Sequence, residues 1–202
     1  VNWCWLSGDH IVEQHVHNLD VGNWLMRGHP VQCNGMGGRQ VRTGVDHGEI
    51  YDHHFCEFVY AGGERMFSQC RHTQSCWNSV SEHVHGTQGS ADVSGGKIYA
   101  PGGELVWNSS NGGGGHQREQ DDLIAALRRG EVYNETRSAA ESTFTAILGR
   151  MASYSGKSLA WDDAIHSGIA LADVDRLTAF HDEAPVKPKA DGFYTTQERY
   201  RI

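Results

Sequence analysis

No stretch of the 202 residues approaches the roughly 18 apolar residues that a membrane-spanning helix needs, so no segment is expected to cross a bilayer. Basic charge is scarce as well: 17 Lys and Arg stand against 25 Asp and Glu, a formal net charge of −8. Nucleic-acid binders draw their affinity from clustered positive charge, and this balance argues against one. The five cysteines, Cys4, Cys33, Cys56, Cys70 and Cys76, are odd in number and include no CxxC pair. A disulfide framework is therefore not expected, whereas a reducing compartment is, with the cytoplasm as default. The opening, Val1-Asn2-Trp3, has neither an initiating Met nor a basic segment leading into an apolar one. It reads as a cut made inside a longer protein.

What the chain does have is aromatic mass, glycine and histidine. Six Trp, seven Tyr and six Phe give it enough apolar surface to offset the entropy of folding, so a globular domain is expected rather than disorder. Glycine occurs 25 times without a G-X-Y period, scattered between apolar runs as in a turn-rich sheet. Residues 9–27 carry Val12, Val16, Leu19 and Asn23 at i, i+4, i+7 and i+11, which predicts one helix with Asp9 as N-cap and a stop at Gly28. From Val31 to about Leu105 the period falls to two. Strands are predicted at 31–41, 50–60, 65–73, 80–87, 91–93 and 97–99, joined by glycine turns into a mostly antiparallel sheet.

After the flexible-looking Asn108–Gly115 stretch, helices are predicted up to Gly130, then from about Ala140 to Gly156, then at Trp161–His166. Residues 169–181 are ambiguous, and the two-proline tail from Ala184 onward reads as extended. The expected class is α+β: a mostly antiparallel, open-faced sheet with helices packed on one face, forming one domain over 1–183 and a tail over 184–202.

Histidine, at 13 residues, is the side chain that titrates nearest neutrality and the commonest metal ligand, so its placement bears on chemistry. On the predicted first helix Glu13, His17 and Asp20 share a face at i, i+4 and i+7. A carboxylate one turn before a histidine holds the ring and favours the imidazolium, which suits a general base; a solvated polar face with an ordinary ion pair reads equally from the same spacing. His15-x-His17 and His83-x-His85 are HxH pairs, and Asp52 precedes His53-His54. Two helical positions i and i+2 point apart, and one strand pair falls short of three protein ligands, so no metal is expected. Asn34-Gly35-Met36-Gly37-Gly38-Arg39 lacks the third spaced glycine and does not open a helix, which leaves a turn or bulge rather than a phosphate cradle. No GxSxG occurs, and Cys70 and Cys76 lack a matched partner as thiol nucleophiles.

The run Ser7-Gly8-Asp9-His10-Ile11-Val12-Glu13-Gln14-His15-Val16-His17-Asn18-Leu19-Asp20 resembles the helix that opens the C-terminal domain of Gfo/Idh/MocA oxidoreductases. The family pattern there is a glycine turn, an acid, a histidine four residues on and an aspartate three further. Ser81–Ala91, containing Gly86-Thr87-Gln88-Gly89, looks like the family's G-T-x-G strand turn, and Asp121–Gly130 followed by Ala139–Gly156 is similar to its C-terminal helices. The resemblance covers about residues 3–170. Two positions depart from it: the acid is Glu13 rather than the usual Asp, and His15 stands where glycine is usual.

The resemblance implies the C-terminal part of an NAD(P)-dependent dehydrogenase that takes hydride from a sugar, cyclitol or similar polyol hydroxyl. It makes His17 the catalytic base and Glu13 its orienting acid. His10 and Asp20 become substrate-binding through the motif, while Arg71 and His116 are added as polar residues in suitable segments. NAD or NADP would be bound mainly by an N-terminal Rossmann domain that this sequence lacks, so the chain alone is expected to be inactive and to hold no cofactor-binding residues. The implied partners are a small carbohydrate and a second copy of the chain across the open sheet face. Three rivals stay open: a redox-type glycoside hydrolase of the same family, a histidine-rich metal hydrolase, and a non-catalytic sheet module for dimerisation or binding.

Overall fold

The computed structural model describes residues 1–109 and 114–196, so Ser110–Gly113, in the expected flexible loop, and the last six residues of the tail lie outside the described residues. The chain divides into two compact units: Val1–Trp77 with the chain from Ala140 onward, and Asn78–Ala139. The strands, expected in one sheet, form two four-stranded antiparallel sheets, one in each unit. Pairing lapses after Arg71 because residues 72–82 contain no strand to carry the ladder on.

The first unit opens with α1 (Cys4–Ser7), α2 (His10–Glu13) and α3 (Val16–Met26). Its sheet contains β1 (Gln32–Gly38), β2 (His53–Val59), β3 (Arg65–Arg71) and β8 (Leu159–Ala160), in the order β3-β2-β1-β8. Alternation on β2 decides the inside: His54, Cys56 and Phe58, followed by Tyr60, are buried, while Phe55 faces out. Against that inner face lies α5 (Thr136–Ser155). Ile11, Leu19, Phe58, Leu148, Met151 and Trp161 are among the residues that fill the core. The outer face carries the exposed Met36, Phe55 and Phe67 among polar neighbours.

The second unit holds β4 (His83–Gly86), β5 (Gly89–Asp92), β6 (Lys97–Tyr99) and β7 (Leu105–Asn108) as a meander, then α4 (Gly115–Arg128). The strands β7 and β8 were not expected. Each is only two to four residues long, too short for alternation to announce it. The first unit closes with α6 (Trp161–Ile165), and the ambiguous 169–181 stretch holds only a single 3-10 turn at Val174–Arg176. In the tail, Tyr194 packs edge-on against Trp3 with ring centroids 5.9 Å apart.

The glycine-rich Asn34–Arg39 stretch is neither turn nor bulge. Gly35, Gly37 and Gly38 sit inside β1, paired with Cys56, His54 and His53. At Gly35 the helix lies close: a Cβ there would stand 3.1 Å from Phe55 O and 3.4 Å from Ser153 N, while at Gly37 it would meet His53 O at 2.7 Å. Gly149 answers from α5, where a Cβ would meet Phe58 Cζ at 2.8 Å and Ile11 Cδ1 at 3.2 Å. Gly149→Val is therefore expected to lower stability by about 1–3 kcal/mol through overpacking. A urea midpoint equal to the parent's would show that this helix and sheet do not meet so tightly.

The predicted helix over 9–27 is broken. His10 O accepts from both Gln14 N (3.0 Å) and His15 N (3.1 Å), which ends α2, and α3 starts afresh at Val16. A long-range contact accompanies the break: His15 Nε2 lies 2.7 Å from Ser68 Oγ of β3. Asn23, on the apolar stripe, is buried with its polar atoms paired. It donates to Thr145 Oγ1 (2.9 Å) and Ser142 Oγ (3.2 Å) and accepts from Tyr60 OH (2.7 Å).

Candidate active site

The opening helices turn on Gly8 and Asp9. Gly8, at φ 80°, closes α1 in the left-handed region that glycine adopts freely. Asp9 follows at φ 77° and ψ 163°, a conformation that costs a side-chain-bearing residue about 1–3 kcal/mol and persists only where its surroundings hold it. They do hold it here. Asp9 Oδ1 accepts from His10 N (2.5 Å) and lies 2.8 Å from His10 Nδ1. Asp9 Oδ2 accepts from Tyr154 OH (2.6 Å) and Tyr51 N (3.2 Å), and lies 3.3 Å from His54 Nε2. Asp9 thus caps α2, as expected, while also tying that helix to β2 and α5.

Around this carboxylate the interior is polar and aromatic. Tyr51 stacks on Tyr154 with centroids 3.8 Å apart, and His10 stacks on the half-buried His72 at 4.4 Å. Ser153 Oγ lies 2.8 Å from His54 Nδ1, and Arg150 donates to Gly8 O at 3.3 Å. Burial pushes the Asp9 carboxyl upward, but the close approach of the His10 and His54 rings outweighs it and holds Asp9 below the ordinary carboxylate range. Burial lowers His54, against the opposing pull of Asp9, and lowers the His72 ring too. Burial, with Asp9 adding to it, raises the Cys4 thiol to about 12 and lifts Tyr154 well above its usual value. Cys70 is likewise pushed up by burial, which disfavours it as a thiolate nucleophile.

A second anchor lies next to this one. The buried Asp52 carboxylate accepts from Gln40 N, Val41 N and Arg42 N at 2.6–2.9 Å and holds His53 Nδ1 at 2.7 Å. It fixes the loop after β1, and its O accepts from His72 N at 2.8 Å. Burial raises this carboxyl, but the bonds from Arg42, His53, Val41 and Gln40 prevail and bring it down to about 2.

The expected site residues separate into distinct places. His17 and Asp20 lie exposed on α3, one turn apart, and Asp20 Oδ1 accepts from Ser142 Oγ at 2.6 Å. Glu13 ends α2, also exposed, and accepts from Gln14 Nε2 at 3.1 Å; no hydrogen bond joins it to His17 among the described residues. The break at Gln14–His15 accounts for that, since the two no longer ride one continuous helix. His10 does not face outward as a substrate contact: it is 1% exposed and points to the Asp9 cluster. Arg71 is exposed at the end of β3 and donates to Trp77 O at 2.8 Å. His116 is exposed on α4 in the other unit. His83 and His85 are both exposed on β4.

No protein-family model matches the sequence, and no curated protein matches it. Solved structures do. The chain is similar to myo-inositol 2-dehydrogenase from Lactobacillus plantarum, at 16% identity and a TM-score of 0.58, covering 77% of this chain and 49% of that one. UDP-N-acetylglucosamine 3-dehydrogenase from Acidithiobacillus ferrooxidans gives 17% identity and 0.58 over 74% and 48%. A levoglucosan dehydrogenase solved with NADH and levoglucosan gives 16% and 0.56 over 76% and 50%. The fold is that of Gfo/Idh/MocA-type oxidoreductases. The chain spans about half the length of the solved structures it matches, so it has the fold of one part of a Gfo/Idh/MocA-type protein.

Sequence reasoning missed the inward cluster of Asp9, His54, Ser153 and Tyr154. A signal for His54 was present: it shares parity with Cys56, Phe58 and Tyr60, so a buried face on β2 takes His54 with it. Tyr154 and Ser153 carry no comparable mark, because α5 buries Ser142 and Thr145 along with its apolar residues.

Proposed function

We propose that this chain is the C-terminal, substrate-binding part of an NAD(P)-dependent oxidoreductase acting on a sugar, cyclitol or related polyol. The fold carries this reading, since similar structures are dehydrogenases of myo-inositol, levoglucosan and a UDP-sugar by name. The exposed His17 and Asp20, presented on one face of α3, supply groups suited to a hydroxylated ligand.

The residues present do not fit a dinucleotide. Every described strand pair is antiparallel, and the glycine run lies inside β1 rather than opening a helix. In this reading the nicotinamide would supply the hydride chemistry from a domain outside these residues.

What this chain does is bind the substrate and move a proton. His17 Nδ1 or Nε2 accepts the proton of the hydroxyl being oxidised. Asp20, steadied by Ser142, accepts hydrogen bonds from neighbouring hydroxyls. Glu13, exposed at the end of α2, adds a second carboxylate on the same stretch of chain. The outer face of the first sheet, with Met36, Phe55 and Phe67, serves as the contact to a second copy.

Titration of the 202-residue chain with NADH, followed by cofactor fluorescence, is expected to show no binding in the micromolar range. Saturable micromolar binding would overturn this division of labour between the two parts.

A further inference from the structure

The Asp9 cluster contains more unmet polarity than a folded interior tolerates. Asp9, His10 and His54 are 0%, 1% and 3% exposed. Yet both ring nitrogens of His10, and Nε2 of His54, complete no hydrogen bond in the structure. His10 Nδ1 and His54 Nε2 approach the Asp9 carboxylate without the geometry of one. Each unmet buried group costs about 1–3 kcal/mol, so two such imidazoles beside one carboxylate call for a ligand that accepts one electron pair from each ring.

We propose that Asp9, His10 and His54 form a binding site for a divalent transition-metal ion of the zinc class. One donor atom from each of the three residues lies within 4.8 Å of the others. Asp9 Oδ2 and His54 Nε2 are 3.3 Å apart. Two donors each about 2.0–2.1 Å from a tetrahedral ion stand roughly 3.3 Å from one another, so this edge is already set. The partners outside the donor set are those a metal site requires. Ser153 Oγ engages His54 Nδ1 at 2.8 Å and turns Nε2 inward, while Tyr154 OH and Tyr51 N fix the carboxylate.

Two imidazoles and one carboxylate suit zinc or ferrous iron rather than calcium or magnesium, which take mostly oxygen donors in larger number. Half-buried His72 stacks on the His10 ring with centroids 4.4 Å apart. The ion would lock α2 to β2 and α5, beneath the exposed Glu13. This inference stands on the cluster alone and does not rest on the oxidoreductase reading.

The test strips the 202-residue chain with a chelator and titrates it with Zn²⁺, and separately with Co²⁺ as a visible probe. The expected result is one ion per chain and the absorption bands of tetrahedral Co²⁺. His10→Gln and His54→Gln are expected to weaken uptake by at least about tenfold. A His83→Gln, His85→Gln double variant, which removes the exposed pair on β4, is expected to bind as the parent does. No stoichiometric uptake by the parent overturns the proposal, as does uptake unchanged in both single variants or lost only in the β4 variant. Should the single variants fail to unfold cooperatively without metal, X-ray absorption at the zinc edge of the parent decides. Two imidazoles and oxygen donors support the site; sulfur scattering or a single imidazole overturns it.

Discussion

On the proposed function, His17→Ala, made in a protein that joins this chain to a dinucleotide domain, is expected to lower kcat for polyol oxidation by about 10²–10⁴-fold. Oxidation of a hydroxyl needs somewhere for its proton to go, and His17 is the exposed histidine beside Asp20 on α3. Its ring makes no hydrogen bond to a described residue, so nothing in the fold depends on it. Stability is accordingly expected to stay within about 0.5 kcal/mol of the parent, as for other surface changes. Steady-state rates across a panel of polyols, measured beside a thermal melt, separate the two effects. A variant that melts normally and oxidises at the parental rate would remove His17 from the proton path.

Asp9→Ala is expected to behave in the opposite way, costing about 3–5 kcal/mol in the metal-free chain, as when one partner of a buried ionic pair is removed. The side chain accepts from His10 N, Tyr154 OH and Tyr51 N and faces His54, and alanine leaves those three donors without their acceptor. Alanine also has to occupy φ 77° with no hydrogen bonds to compensate. Asp9→Asn keeps the shape and one acceptor oxygen and tolerates positive φ, so its loss is expected to be smaller. Urea denaturation of both variants checks the order. Equal midpoints for parent and Asp9→Ala would mean that the carboxylate contributes nothing to holding α2 in place.

These two residues also mark how far the sequence could be read. The helices that end at Gly130 and Gly156 were legible because a glycine at positive φ follows each of them. The strand β2 was legible because its buried positions alternate, and its neighbours because glycine turns separate short strand-like runs. The break between α2 and α3 was not, since Val12, Val16 and Leu19 keep their helical spacing straight across it. What accompanies the break is His15 meeting Ser68, 53 residues away, a contact no local period encodes.

The same holds for the buried cluster. Asp9 reads locally as an N-cap and is one, but its other partners come from positions 42 and 145 residues further on. The exposure of His17 and Asp20 on α3 was legible because helix spacing places them on one face away from the apolar stripe. His10 was misplaced because the motif alone does not say which side of a four-residue helix faces inward.

The most direct test of the central claim is the coding sequence immediately preceding Val1, read far enough for a further domain of roughly 100–150 residues. The account predicts a strand followed by GxGxxG at the start of a helix, with a Glu-Lys-Pro further on. A stop codon there, or a segment without that fingerprint, would contradict it and leave Glu13 and His17 with no cofactor to face.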